Sequence, residues 1–323
     1  MPPLVVIAFN DFPDITLEQT ALAAAGAEVR LVGPLTTPEA RAAAAQALMV
    51  TIQPVSAELL SQLPRLRLVS RVGTRLDAID LAAATARRVQ VTNVPDYSVD
   101  EVSTHAIALL LNHARRLPPL LASTRQGVWA SRIVRPIPRL SELTLGILGF
   151  GRIARATARK ALGLGLRVLA YDPYVEAAAM QAEGVVATGW DALLQASDFV
   201  SLHVPLTPQT HAILDARALR LIKPTALLIN TARGGLVDEA ALLQALDAGQ
   251  IAAAALDVLV TEPPAADHPL LNHPRTYITP HIGWYSEAAN QDVRVRAADE
   301  VVRMLRGEAP RCPANQLAPA PAA

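Results

Sequence analysis

The chain has 323 residues, 51% of them hydrophobic, with 29 Lys and Arg against 29 Asp and Glu. That length suggests about two domains with ample buried core, and zero net charge argues against a general role on nucleic acid or an acidic membrane surface. Cys312 is the only cysteine, so no intrachain disulfide can form, which fits a reducing compartment.

The opening MPPLVVIAFND has no basic n-region and no long apolar h-region, so it reads as a first strand and not as a signal peptide. No apolar run is long enough to span a bilayer. A cytoplasmic enzyme is the default expectation. In chain order, the pattern predicts strands at Leu4–Phe9, Glu28–Val32, Ala47–Ile52, Leu66–Val72 and Val89–Thr92. Helices are predicted over Leu17–Ala25, Pro38–Ala47, Ala57–Leu63 and Leu81–Ala86. This alternation indicates a small parallel α/β domain.

After Asn93-Val94-Pro95 the texture changes. Ser98–Arg116 is a long helix candidate that Ser98 or Asp100 can cap, and Leu117-Pro118-Pro119 should end it. Residues 120–143 read as a helix and an irregular arm. Thr144 to Asp172 then packs an apolar run, the turn Gly149-Phe150-Gly151-Arg152-Ile153-Ala154, a helix and a second apolar run. Such a turn brings backbone close to a pyrophosphate and aims helix N–H groups at it. Asp172, 21 residues after Gly151, is placed to hold a ribose 2′-hydroxyl and repel a 2′-phosphate. Ala154 replaces the third glycine and still allows close helix–strand packing. Later strands fall at Phe199–His203, Ala226–Asn230, Ala252–Leu256 and Thr276–Thr279. Helices fall near Trp190–Gln195, Asp215–Leu221 and Glu239–Ala248, with a last long one at Ser286–Arg306. The Pro- and Ala-rich tail from Pro310 is expected to be loose.

Ligands of open parallel sheets bind at carboxyl ends of strands. His203-Val204-Pro205, Thr231-Ala232-Arg233-Gly234-Gly235, Asp257 and Pro280-His281-Ile282-Gly283 stand at such ends. Hydride transfer to a small 2-oxo acid needs a carboxylate-binding cation, an acid/base near neutral pH, and a partner that orients that base. Arg233, His281 and Glu262 can supply these. Each alone is more often a turn, a hydrogen-bonded or a solvated residue. Converging at successive strand ends, they carry more weight. The remaining histidines, His105 among them, read as structural or surface groups. No cluster has metal-ligand spacing, so no metal is expected.

The chain resembles the D-isomer-specific 2-hydroxyacid dehydrogenases over about residues 4–308, through LVSRVGTRLDAIDLAAA, VTNVPDYSVDEV, LGILGFGRIA with Asp172, SLHVPLTPQT, LINTARGGLVDEAAL, AALDVLVTEPP and TPHIGWYSE. VPDYSVDEV and HIGWYSE look most like the C-terminal-binding-protein branch. The resemblance implies two doubly wound parallel-sheet α/β domains, flavodoxin-like and Rossmann-like, with a cleft between them. Residues 1–97 plus 286–323 would form the substrate domain, and 98–285 the NAD-binding domain. It also implies a homodimer built through the NAD domain and the arm near residues 118–140.

Matched residue by residue, Arg233, Glu262 and His281 take the catalytic positions. Gly149, Gly151, Arg152, Ile153 and Asp172 take the NAD positions of the glycine turn and ribose acid. Val204, Pro205 and Thr210 match the adenosine-side loop, Thr231 and Asp257 match positions near the nicotinamide, and Ala232, His281 and Gly283 are counted among the cofactor-binding residues. Thr74 and Val102 are further cofactor contacts. Val72, Gly73 and Trp284 match substrate contacts. Arg75 and Ala78 depart from the family's usual Gly and Asn or His, and Arg75 is expected to favour a substrate with a second acidic or polar group. The implied activity is NAD(H)-dependent interconversion of a 2-oxo acid and a D-2-hydroxy acid. The competing expectation is an NAD(H)-sensing dimeric binding module with vestigial activity. A formate dehydrogenase is disfavoured, since Glu262 stands where those enzymes resemble a Gln–His arrangement.

Overall fold

The computed structural model describes residues 2–8, 12, 14–33 and 45–317. The chain folds as two compact units, one from residues 1–97 and 286–323 and the other from Ser98–Tyr285.

The first unit carries β1 (Leu4–Ala8), α1 (Thr16–Ala23), β2 (Glu28–Val32), β3 (Ala45–Val50), α2 (Ala57–Ser61), β4 (Leu68–Arg71), α3 (Leu81–Ala86) and β5 (Gln90–Thr92). The C-terminal helix, Glu287–Leu305, completes it. The strands form one parallel sheet in the order β2-β1-β3-β4-β5, the flavodoxin-like order. Alternate residues of each strand enter opposite layers. Val6, Leu48, Val69 and Val91 pack with Leu59, Leu60 and Ala84. Val5, Ile7, Met49 and Leu68 pack with Leu22, Val293, Ala297 and Val301. Within that second layer Arg294 makes a bidentate pair with Glu18, at 2.6 and 2.7 Å.

Two expectations need correction here. The helix predicted over Pro38–Ala47 lies outside the described residues up to Ala44, and Ala45–Ala47 are strand, the first half of β3. Alanine is a good helix former, but these positions lie at the sheet centre beside β1, so pairing overrides propensity. Phe9 also lies outside the described residues. The tail is docked, not loose, as far as Asn315. The Asn315 side chain accepts a bond from Val91 N at 2.7 Å and donates to Val89 O at 3.0 Å, so one amide satisfies the open edge of β5. Glu300 accepts the amides of Arg311 and Cys312.

The second unit carries α4 (Val99–Ala114), α5 (Leu117–Arg125), β6 (Thr144–Leu148), α6 (Arg152–Gly163), β7 (Arg167–Tyr171), α7 (Ala177–Gln181), β8 (Val186–Ala187), α8 (Trp190–Ala196), β9 (Phe199–Leu202), α9 (Ala216–Leu221), β10 (Leu227–Asn230), α10 (Glu239–Asp247), β11 (Ala253–Leu256) and β12 (Thr276–Ile278). Its seven strands are all parallel, ordered β12-β11-β10-β9-β6-β7-β8. The order reverses between β6 and β9, and that switch point is where such sheets bind ligands. No expectation covered α7 and β8, which are too short to show a periodicity.

Ser98 is the N-cap of α4 but makes no side-chain cap bond. Lys160 of α6 ties down this first turn instead, reaching Asp100 Oδ1 at 2.6 Å, Ser103 Oγ at 2.6 Å and Thr104 Oγ1 at 2.7 Å. Pro118 and Pro119 open α5 instead of ending α4, whose end is set by the left-handed turn at Arg116, φ 54°. The arm after α5 runs through two 3-10 turns, Ser131–Val134 and Leu140–Glu142. Among the described residues no helix is long and apolar enough to cross a membrane, and no cluster of His, Cys, Asp and Glu could hold a metal ion.

Candidate active site

At the switch point Gly149 has φ 88°, and a Cβ there would sit 2.8 Å from His203 O and from Val204 Cγ1. Only glycine lets the turn after β6 pass this close to the end of β9. Gly151 is different: a Cβ there would meet nothing. The protein itself does not require that glycine, whereas a backbone-hugging ligand would. Gly151 caps α6 without a side chain, which leaves the amides of Arg152 and Ile153 at a helix N-terminus open to an anion. Ala154 is fully buried in the core under this turn. Asp172 accepts Phe150 N at 2.8 Å and Tyr174 N at 2.9 Å, so the acid is fixed to the glycine turn. Thr210 Oγ1 donates to Pro205 O at 2.6 Å and closes the loop after β9. Burial pushes the His203 imidazole down to about 4, so it is neutral at physiological pH. Thr231 Oγ1, at the end of β10, is buried with no hydrogen-bond partner among the described residues. An orphaned donor at one strand end and a glycine that packing does not require at another, on the same edge of the sheet, fit a bound dinucleotide.

Next along the sheet, Asn230 ends β10. Its side chain accepts Ala232 N at 3.0 Å and donates to Arg233 O at 2.8 Å, which folds the turn that presents Arg233. Arg233 Nη1 donates to Ala232 O at 2.6 Å. A Cβ on Gly234 would lie 2.0 Å from the Leu259 carbonyl carbon, so the loop after β11 rests directly on this turn. Glu239 of α10 accepts Val260 N at 2.8 Å and holds the same loop. Glu262 accepts Leu259 N at 3.0 Å with one oxygen and meets His281 Nδ1 at 2.5 Å with the other. A carboxylate only accepts, so the proton between them belongs to Nδ1, and Nε2 is the ring atom left to face a ligand. Both side chains are about one-third exposed.

His281 has φ 52°, unusual for a residue with a side chain, and its amide donates to Asp257 O and Thr279 O, each at 2.9 Å. The Asp257 carboxylate accepts the amides of Ile282 and Gly283, each at 2.9 Å. Burial pushes that carboxyl up, but the His105 ring beside it and the hydrogen bonds from Thr279, Gly283 and Ile282 outweigh it, and the net shift is downward. Trp284 packs edge-on against Tyr285, with centroids 5.3 Å apart. Val102 is buried in α4.

The other candidates stand in the first unit. Val72 and Gly73 follow β4, and Gly73 has φ 143° with its would-be Cβ 2.7 Å from Arg71 Nη1. Gly73 O accepts Val94 N at 3.0 Å, Thr74 Oγ1 donates to Val94 O at 3.0 Å, and Asn93 Nδ2 donates to Thr74 O at 2.7 Å. Arg75 pairs with Asp77 at 3.0 Å. The structure thus brings Arg233, Glu262, His281 and Asp257 onto three neighbouring strand ends of the second unit. Sequence reasoning passed over Asn230, Glu239 and His105. The first precedes the Thr-Ala-Arg turn directly, which is a signal of sorts, while the other two act only through tertiary contact.

The family model for the D-isomer specific 2-hydroxyacid dehydrogenase NAD binding domain matches residues 107–283. The chain belongs to the D-isomer specific 2-hydroxyacid dehydrogenase family. The matched stretch lies within the second unit, which is the family's NAD-binding domain, and NAD(H) is its cofactor. D-3-phosphoglycerate dehydrogenase of Mycobacterium tuberculosis is 40% identical over 254 residues, covering 79% of this chain and 48% of that protein. Its counterpart in Mycobacterium leprae is 39% identical over 311 residues, 95% and 57% of the two chains. The chain spans about half the length of these curated relatives. Among solved structures, a protein of Thermus thermophilus has a TM-score of 0.85 at 33% identity, covering 96% of this chain and 100% of that one. D-lactate dehydrogenase of Aquifex aeolicus, complexed with NAD and lactic acid, has a TM-score of 0.85 at 30% identity, covering 94% and 96%. The likeness to the C-terminal-binding-protein branch rests on the motifs VPDYSVDEV and HIGWYSE alone.

Proposed function

We propose that the protein interconverts a 2-oxo acid and a D-2-hydroxy acid with NAD(H). The observation that carries this reading is the His281–Glu262 pair at 2.5 Å, held beside the turn of Arg233 by the Gly234–Leu259 contact. Bound NAD(H) supplies or accepts the hydride. Arg233 binds the substrate carboxylate through its planar fork and polarises the carbonyl. His281 Nε2 gives a proton to the carbonyl oxygen in reduction and takes it back in oxidation. Glu262 holds Nδ1, fixes the tautomer and stabilises the imidazolium between turnovers. In the first unit, the substrate domain of the family resemblance, the backbone of Val72 and Gly73 offers a carboxylate contact and Thr74 a cofactor contact. Trp284 lines the pocket. Since Arg75 is paired with Asp77, its charge is partly neutralised locally, and any preference for a doubly acidic substrate depends on that pair opening.

The test is a screen of 2-oxo acids with NADH, run on the wild type and on His281→Ala. The variant should lose turnover by a factor on the order of 10² or more while still binding NADH. Near-normal turnover in it would remove His281 from the chemistry. NADH binding by the wild type with no turnover on any 2-oxo acid would favour the sensor reading instead.

A further inference from the structure

We propose that His105, in the middle of α4, is a positioning residue for His281, acting through the buried carboxylate of Asp257. The proposal rests on the dehydrogenase reading of the site.

Thr279 Oγ1 lies 2.6 Å from Asp257 Oδ1. An ionised carboxylate only accepts, so the hydroxyl proton points to it, and the hydroxyl oxygen is left to accept from His105 Nε2 at 2.9 Å. Hydrogen-bond logic therefore puts the His105 proton on Nε2, which also stands 3.5 Å from Asp257 Oδ1. The same carboxylate holds the amides of Ile282 and Gly283, and the Asp257 main-chain oxygen holds the amide of His281. Three consecutive amides, beginning at His281, thus hang on one residue that is 3% exposed. The left-handed backbone of His281 needs such over-determination to persist. A Cβ on Gly283 would come within 2.8 Å of Asp257 Oδ2 and 3.2 Å of His105 Cδ2, so carboxylate and imidazole both press on this glycine.

From α4 the group facing Asp257 is His105. From the segment after β12 it is met by the Thr279 hydroxyl and the two amides. The His281 ring turns to Glu262 instead. His105 is thus the titratable side chain placed to keep Asp257 ionised. Without the imidazole N–H the Thr279 hydroxyl is no longer held with its proton toward the carboxylate, the carboxyl takes up its proton at a higher pH, and a protonated Asp257 holds the amides poorly.

The experiment measures 2-oxo acid reduction by NADH against pH for the wild type, His105→Ala and His105→Gln, alongside hydrogen exchange of the peptide spanning residues 279–286. His105→Ala should move the acid limb of the kcat profile up by about one unit, so that kcat falls about tenfold on that limb and much less near neutral pH. It should also speed exchange in the peptide. His105→Gln keeps an amide Nε2 donor at similar reach and should restore both. An acid limb and exchange rate unchanged in His105→Ala would overturn the proposal, as would a Gln variant that restores neither, because a residue that merely fills space gains nothing from a donor. Should the wild type reduce no 2-oxo acid, the dehydrogenase reading falls, and the exchange data in the three proteins alone decide the role of His105.

Discussion

Asp172 holds two amides at once, those of Phe150 and Tyr174, and so carries its charge at the lip of the glycine turn. A 2′-phosphate brought there meets a fixed carboxylate, and like charges a few ångströms apart repel by about 4 kcal/mol at a protein surface. We predict that Asp172→Ala narrows the ratio of kcat/KM for NADH over NADPH by about tenfold or more. A ratio unchanged in the variant would mean that discrimination lies elsewhere. At this scale the sequence showed which residues stand at strand ends, because a glycine turn, an acid and a charged loop each leave a local signature. Arg233, Glu262 and His281 were findable for that reason. His105 and Glu239 were not, since each sits within a helix and reaches its loop only after the sheet has brought distant segments together.

The C-terminal helix is bound into the first unit by Arg294, whose guanidinium meets Glu18 of α1, donates to Asp14 O at 2.7 Å and lies 4.8 Å over the Phe12 ring. Glu18 is fully buried. Removing one partner of a buried pair strands the other charge, which costs about 3–5 kcal/mol, whereas replacing both with apolar groups is often neutral. Arg294→Met should therefore lower stability strongly in chemical denaturation, and Glu18→Leu added to it should recover most of the loss. A single variant as stable as the wild type would show that the pair contributes nothing. Periodicity located most elements to within a residue or two. It failed where the deciding interaction was not local: Ala45–Ala47, made strand by pairing with β1, and the tail, made ordered by Asn315 on the edge of β5.

Strand alternated with helix along nearly the whole chain, so a parallel α/β class was readable from the pattern, and the doubly wound form came from the family resemblance. The strand orders of the two sheets were not, because order is set by which crossovers pack. In the second unit the arm exposes Leu117, Leu121, Val128, Trp129 and Ile133, with Trp129 94% exposed. Apolar side chains gathered on one segment mark an association surface. We infer that a second copy of the chain covers them, in line with the dimer that the family resemblance implies. Leu121→Lys with Trp129→Glu should halve the mass seen in sedimentation, and a wild type that sediments as a monomer would contradict the inference.

The discontinuity of the first unit also sets an order in time. During synthesis the second unit is a single continuous insertion and is complete once Tyr285 has emerged. Val5, Ile7, Met49 and Leu68 by then have waited through its whole translation with one face of their sheet uncovered, since Val293, Ala297 and Val301 that cap it come from the C-terminal helix. Domains otherwise tend to fold in the order they leave the ribosome. Here the segment made before the second unit is the one that finishes after it.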